Sequence, residues 1–131
     1  MLDKRRTPFG EVEIDDDKQL MYVRYGPDSQ VHDWKKSLKE VLQISEETGI
    51  YRVLVDVRKQ EKLANTLDLY DFGAGLPKHI AFAVLCELHL ADHRFIENVA
   101  MNRGIQVKDF NMEEDAISWL LEWPNHHSGR Q

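Results

Sequence analysis

The sequence predicts an α/β fold: an N-terminal hairpin, then strands and helices in alternation, giving a mixed sheet of about five strands flanked by about four helices. Three observations carry this. Val53, Leu54, Val55 and Val57 form a nearly continuous β-branched run, the pattern of a parallel strand buried on both faces. A second apolar run extends from Ile80 to Cys86. Around these runs lie stretches with apolar residues at helical spacing, which open on capping residues and mostly close on glycine. Such alternation calls for right-handed crossovers and later strands that run parallel.

The 131 residues are 42% hydrophobic and 31% charged, with 7 Gly, 4 Pro and one Cys, as in one soluble globular domain. A chain of this length hides roughly two thirds of its unfolded surface and needs no disulfide or structural metal. One cysteine cannot make an internal bridge and no charged-then-apolar leader opens the chain, so the expected compartment is the cytoplasm. No apolar stretch approaches the ~20 residues of a membrane span. A net charge of -6 argues against a general binder of nucleic-acid backbone.

Taken in order, residues 1–9 read as a flexible arm, because Lys4, Arg5 and Arg6 sit among polar residues without apolar period. Residues 10–122 form the domain and 123–131 a flexible tail. Glu11-Val-Glu-Ile alternates, Asp15, Asp16 and Asp17 make a solvated turn, and Leu20, Tyr22, Val23 and Tyr25 return as the second strand of a hairpin. Calcium-loop spacing is absent from the acidic run. Gly26-Pro27 ends the hairpin, and Asp28 or Ser29 can cap a helix running to about Thr48, with Val31, Trp34, Leu38, Val41, Leu42 and Ser45 on its inner face and Gly49 as its stop. The central strand, Tyr51 to Val57, follows. After a polar loop, Asn65 with Asp68 can cap a second helix whose Leu69, Phe72 and Leu76 face inward. Strand Ile80 to Cys86 comes next, then a helix opened by Asp92 and ended at Gly104, a strand with Ile105, Val107 and Phe110, and a last helix carrying Met112, Ala116, Trp119 and Leu120 inward. Asn111 with Glu114 supplies that helix's capping pattern.

Catalytic signatures are scarce. Loops after parallel strands are where α/β domains place ligands, yet none here has a phosphate cradle; Gly73-Ala74-Gly75 follows a helix and precedes a strand, the reverse of the required order. Ser29, Ser37, Ser45, Ser118 and Ser128 lack a nucleophile elbow. Cys86, Glu87, His89, Asp92 and His93 have a metal-like spacing, but Cys86 can point into the core and a fourth ligand would have to come from elsewhere, so no metal is expected. His126 and His127 read as solvent-facing. No cofactor is expected.

Three segments, Tyr51-Arg-Val-Leu-Val-Asp-Val-Arg58, Ile80-Ala-Phe-Ala-Val-Leu85 and Val107-Lys-Asp-Phe-Asn-Met-Glu-Glu-Asp-Ala-Ile-Ser-Trp-Leu120, together resemble the SpoIIAA-like family of the STAS superfamily, over roughly residues 10 to 122. The resemblance implies a domain similar to bacterial anti-sigma-factor antagonists and to the cytoplasmic domains of sulfate transporters, one that binds partners and does not catalyse. Docking would use the loop after the central strand and the following helix start: Asp56, Arg58, Lys62, Asn65 and Thr66. The family's phospho-regulated serine is missing, since Leu63-Ala-Asn-Thr-Leu-Asp68 has neither Ser nor Gly, and Thr66 is the nearest candidate phosphoacceptor. Asp56 and Arg58 match the family's charged residues at the strand end and read as loop-fixing groups. The expected partner is a protein or a second copy of the chain. The alternative is a small apolar ligand or lipid, by comparison with CRAL-TRIO domains, lined by Leu69, Phe72, Leu76, Trp119 and Leu120.

Overall fold

A computed structural model describes residues 2–7, 10–26, 31–59, 77–85 and 106–123. The elements are β1 (Leu2–Thr7), β2 (Gly10–Asp15), β3 (Leu20–Tyr25), α1 (Val31–Thr48), β4 (Arg52–Asp56), β5 (Ala81–Leu85), β6 (Val107–Phe110) and α2 (Glu113–Leu121). The six strands form one sheet in sequence order. β1, β2 and β3 are antiparallel neighbours, and β3, β4, β5 and β6 run parallel. The α/β class and mixed sheet therefore stand. Of the four expected helices, α1 and α2 are described; the stretches 65–76 and 92–104, with Leu69, Phe72 and Leu76, lie outside the described residues.

One strand more is present than expected. Leu2–Thr7, expected as an arm, pairs along its whole length with β2, from Leu2 opposite Asp15 to Thr7 opposite Gly10. An edge strand takes its order from the backbone ladder and needs no apolar face, so apolar period could not reveal it. The register sets Lys4 across from Glu13, and Lys4 Nζ lies 4.0 Å from Glu11 Oε2, opposite charges that favour this pairing.

The β2–β3 turn occupies residues 16–19. Asp15 Oδ1 accepts from the backbone N–H of Asp17 (3.1 Å) and of Lys18 (3.2 Å), and Gln19 takes a positive φ of 57°. The acidic run thus shapes the turn. Gly10 is fixed by steric need: a Cβ there would overlap the backbone carbonyl of Arg24.

α1 ends where expected. Gly49 has φ 75° and its N–H donates to Ser45 O at 2.8 Å, an αL helix stop. α2 departs from expectation at its start. Its N-cap is Met112, without a side-chain cap bond, in place of Asn111, and Met112 is 52% exposed, not inward. Glu113, Glu114 and Asp115 in the first turn supply instead the negative charge that a helix N-terminus favours.

The sheet has a core on each side. Val12, Ile14, Met21, Val23, Val53, Phe82 and Val84 pack on one face with Val41 and Ile44 of α1. Leu20, Tyr22, Leu54, Ala83 and Leu85 pack on the other with Ala116 and Leu120 of α2. Alternate residues of β4 feed both, as the β-branched run required. Fully burying a side chain such as Leu54 or Leu120 contributes roughly 1.5–3 kcal/mol.

Candidate functional site

The site lies at the carboxyl ends of β3 and β4, where two strands and a helix start bring charged side chains together. Arg24 and Asp56 are paired positions of the parallel ladder. Both occupy the face that carries Tyr22 and Leu54, the face α2 covers. The first turn of α2 adds Glu113, and β2 adds Glu13 from the diagonal position.

Asp56 is the buried centre, its side chain 10% exposed. Its Oδ1 accepts from the backbone N–H of Arg58 at 3.0 Å and from Arg58 Nε at 3.1 Å. Its Oδ2 accepts from Arg58 Nη2 at 2.9 Å and from Arg24 Nη1 at 2.8 Å. The backbone bond closes an Asx turn just beyond β4, and the side-chain pair is bidentate. Glu113 Oε1 accepts from Arg24 Nη1 at 3.2 Å and lies 3.6 Å from Arg58 Nη2. Glu13 Oε1 stands 3.9 Å from Arg24 Nε. The guanidiniums of Arg24 and Arg58 thus alternate with the carboxylates of Asp56 and Glu113 around the exit of β4, with Glu13 flanking Arg24, and the Arg24 guanidinium carbon lies 5.4 Å from the Tyr22 ring centre.

The charges tune one another. Burial alone would raise the Asp56 carboxyl, but the bonds from Arg58, then Arg24, outweigh it and hold the group below its ordinary value. Burial opposes the charge of Arg24, and Glu113 and Asp56 more than offset it, so its pKa is raised. Tyr22 is pushed up, first by burial and then by the charges of Asp15 and Glu113.

At the opposite end of β4, Arg52 ties two backbone segments together. Its Nε donates to Trp123 O at 2.8 Å and its Nη1 to Lys18 O at 3.0 Å, joining the end of α2 to the β2–β3 turn. Trp123, placed in the tail by the sequence, stands edge-on to Trp119 at 5.6 Å between ring centres, and Trp119 packs on Phe110 at 5.8 Å.

Of the expected docking residues, Asp56 and Arg58 are placed here together, as loop-fixing groups; Lys62, Asn65 and Thr66 lie outside the described residues. Of the expected apolar lining, Leu120 is wholly buried against the sheet and Trp119 partly so. Cys86, Glu87, His89, Asp92 and His93 lie outside the described residues, and among those described no group of three or more His, Cys, Asp or Glu could hold a metal. No helix among the described residues is long and apolar enough to cross a membrane. Arg24 and Glu113 escaped the sequence. The available signal was one charged residue in the otherwise buried strand Leu20–Tyr25. Comparison of the chain with protein-family models, with curated proteins and with solved structures returned no match.

Proposed function

We propose that the chain is a non-enzymatic, regulatory protein-interaction module of STAS type. Its expected docking residues are those of the loop after β4 and of the helix start expected at Asn65: Asp56, Arg58, Lys62, Asn65 and Thr66. The supporting observation is the pairing around Asp56: Arg24 and Arg58 hold its carboxylate from two sides, and the backbone bond from Arg58 holds the exit turn in one shape. A fixed turn bearing exposed Arg58 and Lys59 suits recognition, since charged groups held in place give orientation and partner choice. A general base works best with a pKa near the operating pH, and Asp56 is displaced the other way.

The partner is a second protein or a second copy, met in the cytoplasm, in keeping with the single cysteine. The test is chemical cross-linking in an extract of the source cells, with wild type and the Arg58→Glu/Lys62→Glu variant as baits, beside sedimentation of each alone. A stoichiometric partner or self-association lost on charge reversal supports the proposal. Identical cross-links and identical sedimentation for both chains overturn it.

A further inference from the structure

The first turn of α2 is held differently from the rest of the helix. From Asn111 to Asp115 no side chain is buried; Ala116 is the first that is, followed by Leu120. The N-cap, Met112, makes no side-chain cap bond. Packing and capping therefore leave the first turn to its ion pairs. Glu113 makes them: its Oε1 stands 3.2 Å from Arg24 Nη1 and 3.6 Å from Arg58 Nη2, so one oxygen joins the helix start to the end of β3 and to the exit turn of β4. The inner pairs are shorter and more enclosed. Asp56, 10% exposed, takes Arg24 at 2.8 Å and Arg58 at 2.9 Å, whereas the side chains of Glu113 and Arg58 are 37% and 41% exposed. Water and salt screen an exposed pair far more than an enclosed one, so the outer tie yields first.

We propose that the first turn of α2 is a latch on the exit of β4: it opens by local unfolding that withdraws Glu113 from Arg24 and Arg58, while Asp56 keeps both guanidiniums and the side chains of Ala116 and Leu120 stay packed. Opening uncovers no core side chain, since none is buried between Asn111 and Asp115, and it gives up a single helical turn. The inner centre survives it, because Arg58 holds Asp56 through Nε, Nη2 and its backbone N–H, and Arg24 holds it through Nη1. Closed, the latch sets a carboxylate beside the cations of the exit turn, Arg58 and exposed Lys59; open, it takes that carboxylate away. The bearing of this change on partner choice rests on the docking reading above, whereas the latch itself does not.

The test is amide hydrogen exchange of the full chain, read residue by residue by NMR. Ala116 reports the latch, since its N–H donates to Met112 O at 3.2 Å; Leu120 in the next turn and Val57, whose N–H donates to Leu85 O at 3.0 Å, report the parts that stay closed. In wild type Ala116 should exchange faster than either, and faster still as salt is raised. Glu113→Gln should quicken Ala116 by about two- to fivefold, the range of a partly exposed ion pair, abolish its salt response, and leave Leu120 and Val57 unchanged. Glu114→Gln makes the same change of charge at the next, exposed position and should keep the salt response. Arg58→Met should quicken Ala116 as well, and by less in the Glu113→Gln background. Unchanged exchange at Ala116 in Glu113→Gln, equal effects of Glu113→Gln and Glu114→Gln, Leu120 or Val57 quickening in step with Ala116, or the full Arg58→Met effect in the Glu113→Gln background each overturns the latch. The docking reading has a separate fate: a cellular partner lost on charge reversal of Arg58 and Lys62 sustains it even where the latch fails.

Discussion

Arg24 Nη1 donates to Asp56 Oδ2 at 2.8 Å from a directly paired position of the neighbouring parallel strand, 32 residues away in the chain. The bond ties the end of the hairpin to the end of the central strand. Arg24→Met should lower the unfolding free energy by roughly 1–3 kcal/mol, the usual cost of unpairing a buried polar group. Asp56→Asn should cost a similar amount. Residues in direct contact couple, so the double variant should lose less than the sum, by about 0.5–3 kcal/mol in urea unfolding. Simple additivity would show that the two groups do not sense each other.

Acid should probe Asp56 directly. Its folded pKa lies below the ordinary 3.8, so its contribution to stability is whole above that value and is lost as pH falls from there through the folded pKa. Urea midpoints measured down the acid limb should fall for wild type and fall less for Asp56→Asn. On the alkaline side, burial raises the phenols of Tyr22 and Tyr51 above 10.0. Their stabilising effect is complete below the unfolded value and disappears as pH climbs through the folded ones, so phenolate absorbance should develop late and together with unfolding.

Arg52→Met removes the donors to Trp123 O and Lys18 O at once. A loss of roughly 1–3 kcal/mol is expected. Hydrogen exchange should quicken in both the 16–19 turn and the last turn of α2. Faster exchange in only one of them would mean that the guanidinium does not join the two.

Two glycines should respond differently to alanine. At Gly49 a Cβ meets nothing within 4 Å, so the cost is that of a left-handed backbone at φ 75°, about 1–2 kcal/mol. At Gly10 the backbone would have to part, because the added carbon overlaps the Arg24 carbonyl. Overpacking of this kind costs about 1–3 kcal/mol. Gly10→Ala should also disturb the resonances of Arg24 and Asp56, whereas Gly49→Ala should leave them in place.

Ser45 is fully buried in α1, and its hydroxyl has no hydrogen-bond partner among the described residues. Ser45→Ala should therefore raise the thermal midpoint, with a gain of about 1 kcal/mol from the removed polar group and the better helix former. A lowered midpoint would reveal a bond made by that hydroxyl.

Legibility in the sequence followed the range of the forces involved. β4 could be read because its burial on both faces leaves an apolar run, and α1 because its stop is a glycine with the required φ. Asp56 and Arg58 could be read as loop-fixing groups because they stand two positions apart, at the end of the apolar run. Arg24 and Glu113 meet from positions 89 residues apart, and nothing local marks a contact that only the strand register and the placement of α2 create. β1 was hidden for the complementary reason: its order comes from a ladder with β2, and no side-chain pattern is needed for that. At Asn111 a capping pattern was present and unused, because Met112 is the cap and the acidic first turn answers the helix dipole.

Among the described residues, a sheet with α1 on one side and α2 on the other divides the interior into two compartments that meet through strand backbones. Shaving Val41 and shaving Leu120 should then give penalties that simply sum, each compartment blind to the other's vacancy. Asp56 closes the row that Leu54 begins, beneath α2. A tug on the exit turn is thus felt first by the α2 compartment, and the α1 side can stay packed while the other loosens.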